Sequence, residues 1–438
     1  MFKTLKNAWR IPELKKKLLF TLLIVVLYRL GANIPVPYVN PDTFSQASEI
    51  FSGTILQYLN ILSGEALGKA TLLALGVSPY ITASIVMQLL TIAIPPLERL
   101  SKDGENGRKK ITAITRFVTV ALALVTSIGY ALFLSNNDLL VLDKPNFFQY
   151  AIIVACYCAG AALVMWLAEK INDHGIGNGI SIILFANIIA GFYSMFLSIW
   201  DLATNENLHL AVGISLAVLE VIVLIGMIML IVWMSDAERR IPIQYAKRVV
   251  GRKMYGGQNT NLPIKVNMSG VMPIIFANSI VAIPATIASF MTKENWFTKF
   301  VNNVFNYNTW PYLIVFLILL IAFAYFYVAI SFNPVEVANN IKNNGGAIPG
   351  IRVGRPTIEF IKKVLNRITL VGALLVAFIA CFPMIVNIVT GYFEATAGLF
   401  MALAFSGSSM MIVVGVALET TRELEAQMSL RNYKGFLD

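Results

Sequence analysis

The chain has 438 residues, of which 57% are hydrophobic and only 13% charged, about half the charged share of an ordinary soluble domain. With a mean hydropathy of +0.71, this composition excludes a disordered chain and an ordinary soluble enzyme. Thirty-four Lys and Arg against 24 Asp and Glu leave a formal charge of +10; in a chain whose solvent is lipid, such an excess belongs to cytoplasmic loops rather than to a nucleic-acid face.

A transmembrane helix needs about 20 predominantly apolar residues. Ten stretches qualify: roughly 18–38, 71–94, 112–134, 149–169, 177–198, 210–234, 266–291, 311–332, 366–389 and 396–418. The first follows Lys15, Lys16 and Lys17 and ends in Pro35-Val36-Pro37 without a small-x-small cleavage site. It reads as a retained helix rather than a cleaved signal. Between the first two spans, 50–63 is apolar but too short and too polar to cross. It reads as re-entrant or surface-bound.

Lys and Arg placement sets the orientation. With the N-terminus cytoplasmic, every Lys and Arg lies on a cytoplasmic segment except Arg29, Lys69, Lys144, Lys293 and Lys299. Both termini are therefore expected in the cytoplasm, together with two long basic loops, 235–265 and 333–365.

Residues 76–84 read Gly-Val-Ser-Pro-Tyr-Ile-Thr-Ala-Ser, and 270–278 read Gly-Val-Met-Pro-Ile-Ile-Phe-Ala-Asn. Gly, Val, Pro, Ile and Ala recur at the same spacing in spans that run in opposite directions. This predicts two five-helix halves related by an axis in the membrane plane, here 1–200 and 201–438. Pro79 and Pro273 each remove a backbone donor, so the two spans are expected to be weakened near one end and to face a central cavity, where broken backbone is tolerated.

Chemistry is sparse. There is no phosphate-binding Gly-x-x-x-x-Gly-Lys-Ser/Thr and no His-Glu-x-x-His. Cys156, Cys158 and Cys381 lie in apolar runs and suggest no disulfide framework. His174 and His209 are too scattered for a metal site. No cofactor, metal or enzymatic activity is expected. Within spans, the ionisable residues singled out are Arg29 and Glu220; the other polar positions are uncharged, among them Ser84, Gln88, Asn187, Asn278 and Ser279. A coupled transporter ordinarily carries ionisable groups in its pathway.

Several long stretches resemble the SecY family, the central subunit of bacterial protein-conducting channels. They are Ala74–Leu90, Trp166–Ile183, Glu238–Arg248, Leu262–Gly270, Phe332-Asn-Pro334, Ile348–Arg352 and Tyr433–Phe436. The resemblance covers nearly the whole chain. It implies an all-α polytopic membrane protein, ten helices in two inverted halves around an hourglass pore, with a re-entrant plug helix. The implied constriction ring is Val77, Ile81, Ile180, Leu184, Ile275 and Ile412, aliphatic throughout although two members are not isoleucine. The plug falls on 50–63, with Phe51, Ile55, Leu56, Leu59 and Leu62. The lateral gate falls between spans 2–3 and 7–8, at Ile85, Gln88, Asn278 and Ser279, where the polar side chains would hydrogen-bond across the closed gate.

The basic loops resemble a docking surface for the motor ATPase SecA and for ribosomes, through Arg239, Arg240, Lys247, Arg248 and Arg352. The resemblance further implies the small membrane subunits SecE and SecG, precursors bearing signal sequences, and residence in the lipid bilayer of the bacterial cytoplasmic membrane. The readings it competes with are a secondary transporter built on inverted repeats and an insertase without a through pore.

Overall fold

The computed structural model describes residues 2–40, 55–141, 146–204, 210–245, 248–250, 253–255, 259–291, 295–306, 309–391 and 407–434. In chain order the elements are α1 (Phe2–Arg10), α2 (Pro12–Gly31), α3 (Ile55–Ser63), α4 (Ser78–Ala93), α5 (Pro95–Lys102), α6 (Gly104–Asn136), α7 (Phe147–His174), α8 (Gly179–Ala190), α9 (Phe192–Ala203) and α10 (Leu210–Asp236). There follow β1 (Glu238–Tyr245), β2 (Arg248–Val250), β3 (Lys253–Tyr255), β4 (Asn259–Lys265), α11 (Met272–Phe290), α12 (Trp296–Val304), α13 (Trp310–Ser331), α14 (Pro334–Asn343), β5 (Gly346–Ala347), α15 (Arg355–Gly391) and α16 (Gly407–Lys434).

Among the described residues, six helical runs are long and apolar enough to cross a membrane: α6, α7, the α8–α9 pair, α10, α13 and α15. The other four predicted spans also contain helices, each for a physical reason less regular. The first ends at Gly31, and 32–38 turn back so that Pro35 bridges Thr71. The second is a 16-residue helix, bent by 102° from α5. The seventh is α11, with Pro284 in its interior. The tenth is described only from Gly407 onward, so 396–406 lies outside the described residues. Large apolar side chains such as Leu22, Phe117, Val125, Phe196, Ile222, Trp233, Leu374 and Phe378 are exposed, as a chain bathed in lipid requires and a soluble one avoids.

The second span corrects the sequence expectation most clearly. Residues 71–77 are apolar but form turns, not helix. Irregular backbone at membrane depth must find partners within the protein. Here the amide of Leu72 donates to the carbonyl of Ile34 at 2.8 Å, and in the loop just before, the buried hydroxyls of Tyr130 and Tyr157 donate to the carbonyls of Leu67 and Ala70. The amide of Gly68 donates to Asn60 Oδ1 at 2.7 Å, and that of Leu67 to Ser63 Oγ at 3.0 Å. Gly76 then turns the chain with φ of 52°, and Pro79 sits in the first turn of α4, where the missing N–H has no partner to lose. Gly270 and Pro273 do the same for α11. These prolines start helices rather than break them.

The fold also has strands. β4, β1 and β5 form one antiparallel sheet, with Ile241 opposite Leu262 and Gln244 opposite Ala347. Ile241, Ile243, Ile264, Val328, Ile341, Ile348 and Ile361 bury together beneath it. The two basic loops, read from sequence as separate, are one small folded unit.

Candidate functional site

The largest buried cluster draws on α2, α4, α7, α8, α10, α11, α13, α15 and α16. Five of the six predicted ring residues lie inside it: Val77, Ile81, Leu184, Ile275 and Ile412, none more than 6% exposed. The sixth, Ile180, is partly buried against the same cluster. Their positions follow from local structure. Val77 caps α4 and Ile81 lies one turn on; Ile180 and Leu184 are one turn apart at the start of α8; Ile275 occupies the first turns of α11; Ile412 lies in the second turn of α16. The ring side chains thus come from helix beginnings that the glycine turns and caps place together. Asn178 secures one of them, its side chain accepting the amides of Ile180 and Ser181.

A cavity of about 240 Å³ opens beside this cluster. Its walls include Leu59 and Leu62 of α3, Val77 and Ile81 of α4, Leu184 of α8, and Asn278, Ser279, Ala282 and Ile283 of α11. Residues assigned from sequence to three separate groups therefore border one apolar space. Phe51 lies outside the described residues. Ile55 and Leu56 begin α3, and nothing is described of their side chains. Ile85 is 2% exposed and Asn278 1% exposed. Gln88 is exposed and its amide Nε2 donates to Ser84 Oγ at 3.4 Å, while Ser279 Oγ donates to the carbonyl of Ile275 at 2.7 Å. Both of these hydrogen bonds stay within their own helices.

Sequence reading did not foresee a polar cluster at the end of α3. Arg29 Nη2 donates to the carbonyls of Ala186 at 2.7 Å and Asn187 at 3.2 Å, and Nη1 to that of Gly64 at 3.3 Å. Asn187, fully buried, donates through Nδ2 to the carbonyl of Leu62 at 2.7 Å and to Tyr28 Oη at 2.9 Å. The sequence signals were the isolated charge of Arg29 in span 1 and the amide of Asn187 within span 5.

At the sheet-bearing end, Arg239, Arg240 and Arg352 are exposed. Arg240 Nε donates to Glu238 Oε1 at 2.6 Å. Lys247 lies outside the described residues, and Arg248 is in β2 without a described side chain. Nearby, Arg422 Nη2 donates to the carbonyl of Ser235 at 2.8 Å and to Asp236 Oδ1 at 2.7 Å. Burial pushes the Lys265 ammonium below its ordinary range, with Arg422 adding to the effect. Burial raises the Glu419 carboxyl, as does Glu423.

These features have counterparts in known proteins. A protein translocase subunit SecY from Streptomyces coelicolor is 43% identical over 450 residues, covering 100% of each chain. A solved structure concerned with how the plug domain of SecY stabilises the closed state of the translocation channel superposes with a TM-score of 0.61, at 18% identity, covering 96% of both chains. Sec61 from a canine ribosome-channel complex of the endoplasmic reticulum superposes with a TM-score of 0.60, at 15% identity and the same coverage. Those likenesses establish the fold as that of the channel structures. The SecY family model matches residues 71–421, and with a full-length relative at this identity the chain belongs to the SecY family.

Proposed function

We propose that the chain is the channel subunit of a protein translocase, conducting unfolded secretory polypeptides across a membrane and releasing apolar segments sideways into lipid. The observation that carries this reading is that one apolar cavity is shared by Leu59 and Leu62, by Val77, Ile81 and Leu184, and by Asn278 and Ser279. The ring aliphatics seal by excluding water, since a narrow hydrophobic passage dewets. α3 is the plug above them. α4 and α11 are the two sides of the lateral gate, and a signal sequence, whose apolar core runs about 7–15 residues, replaces their mutual packing with its own surface. That supplies a two-state element and a ligand that prefers one state.

The halves are 1–200 and 201–438, moving about the connection between spans 5 and 6. The chain resides in a bacterial cytoplasmic membrane with both termini cytoplasmic, which sets the β4–β1–β5 unit on the cytoplasmic side. There Arg239, Arg240, Lys247, Arg248 and Arg352 engage SecA and the ribosome, the guanidinium forks suiting carboxylates and RNA phosphates. SecE and SecG complete the complex. The reading needs no catalytic residue in this chain, because the motor or the ribosome supplies the energy.

The test is reconstitution. The purified complex in proteoliposomes, given SecA, ATP and a precursor, should convert the precursor to a protease-protected form. A precursor with an arginine in its signal core should remain digestible. Absence of protection with every partner present would overturn the reading.

A further inference from the structure

The plug-like helix α3 ends in a defined way. The amide of Gly64 donates to the carbonyl of Ile61 at 3.0 Å and that of Glu65 to the carbonyl of Asn60 at 2.9 Å. This paired arrangement is the Schellman motif, with glycine in left-handed conformation just past the helix; φ is 68° at Gly64 and 69° at Glu65. The motif leaves the carbonyls of Leu62, in the last turn, and Gly64, just past it, to be met from outside α3. The side chains of Asn187 and Arg29 meet these two carbonyls.

We infer that Arg29 and Asn187 form a clasp that fastens the C-terminal end of α3 to spans 1 and 5, and that releasing this clasp is the step that frees the segment; this rests on reading α3 as the plug. The two residues act from different helices, α2 and α8, on carbonyls two residues apart. Arg29 also binds the carbonyls of Ala186 and Asn187, just before span 5 breaks at Gly191. One guanidinium therefore ties together span 1, the break in span 5 and the end of α3. Tyr28, fully buried beside it, accepts from Asn187 and fixes the amide's orientation. The fit is close: a Cβ on Gly64 would stand 2.6 Å from Arg29 Nη1 and 3.0 Å from Asn187 Oδ1. Among the described residues, nothing donates a hydrogen bond to the buried Asn187 Oδ1. A buried acceptor left unmet weakens the closed arrangement, as befits a contact that must open. Arg29 and Asn187 are positioning residues, acting through the backbone of α3.

The experiment places a thiol on α3 by Leu62→Cys in the assembled complex and measures its labelling by a membrane-impermeant maleimide added from outside, with peptide mass spectrometry following native Cys156 as internal control. Asn187→Leu keeps the branched shape, with a somewhat larger side chain, and removes both donated bonds. Labelling at position 62 should rise about tenfold, the effect of losing one to two net hydrogen bonds, with Cys156 unchanged. Tyr28→Phe, a milder change, should raise it about threefold and decides the matter if Asn187→Leu does not assemble. Unchanged labelling in the variant that assembles overturns the clasp, and an equal rise at Cys156 does so too, since that is general loosening. Resting ion conductance separates the two readings. Faster labelling with unchanged conductance keeps the clasp and overturns the plug role of α3.

Discussion

Gly76 and Gly270 hold the same left-handed backbone, with φ of 52° and 62°, and each is followed by a valine that caps a helix at nearly the same angles, φ of −88° at Val77 and −92° at Val271. A proline then sits in the first turn of each helix. The repeat visible in the sequence is thus a repeat of conformation, placing Ile81 and Ile275 at matching steps beyond their turns. An L side chain costs about 1–2 kcal/mol in this conformation. Gly76→Ala and Gly270→Ala should each lower stability by about that much, read as a fall in the thermal midpoint of the purified complex. Among the described residues, nothing lies within 4 Å of a would-be Cβ on Gly270, so its loss isolates the backbone term, and Gly270→Asn should recover part of it.

Replacing Ile81, Ile275 and Ile412 together by Gly removes three buried aliphatic side chains from one apolar cluster and, on the proposed reading of them as the seal, should admit water. Planar-bilayer recordings of the resting complex should show ion conductance raised about tenfold or more. A resting conductance equal to wild type would count against these residues as the seal.

The sheet joining the two basic loops predicts that one buried residue controls both. Ile264 of β4, fully buried in the cluster under the sheet, should cost about 2–5 kcal/mol locally as Ile264→Ala and, on the proposed docking role, weaken SecA binding although every arginine remains. Arg239→Glu, at an exposed site, should weaken binding without lowering the melting temperature. Its effect should fade with added salt, as screening requires. Sedimentation and thermal melts of the two variants separate these outcomes.

The Glu419 carboxyl is raised by burial and by Glu423. A raised carboxyl binds more protons folded than unfolded, so its stabilisation is present at low pH and is lost as pH rises from the ordinary carboxylate value of 4.5 through the raised one. Glu419→Gln should flatten that part of the pH–stability profile. Because Glu419 is an exposed residue overall, solvent screening keeps the slope shallow.

The spans were legible because hydropathy is local: a run such as Trp310–Ser331 declares itself. What failed was nonlocal. Residues 71–77 are as apolar as helix, but the amide of Leu72 bonds the carbonyl of Ile34, and the loop leading into them is held at Leu67 and Ala70 by Tyr130 and Tyr157 on α6 and α7. Without those partners in view, Gly-x-x-Pro reads as a kink instead of a helix start. The alternation that buries Ile241 and Ile243 spans only three positions, and the strand that covers it begins beyond residue 258. The ring, by contrast, came from family resemblance, and its residues gather in one buried cluster. Arg29 and Asn187 were noticed singly; their meeting at the end of α3 depends on the fold.

The most direct measurement is site-specific photocrosslinking. A probe at Ile81, Ile275 or Ile412 is placed in the membrane-embedded complex, and a secretory precursor is stalled in transit with SecA and ATP. Crosslinks from all three sites to the mature, hydrophilic part of the precursor are expected. Silence at all three, with the precursor stalled and the probes incorporated, would contradict a polypeptide path through this ring.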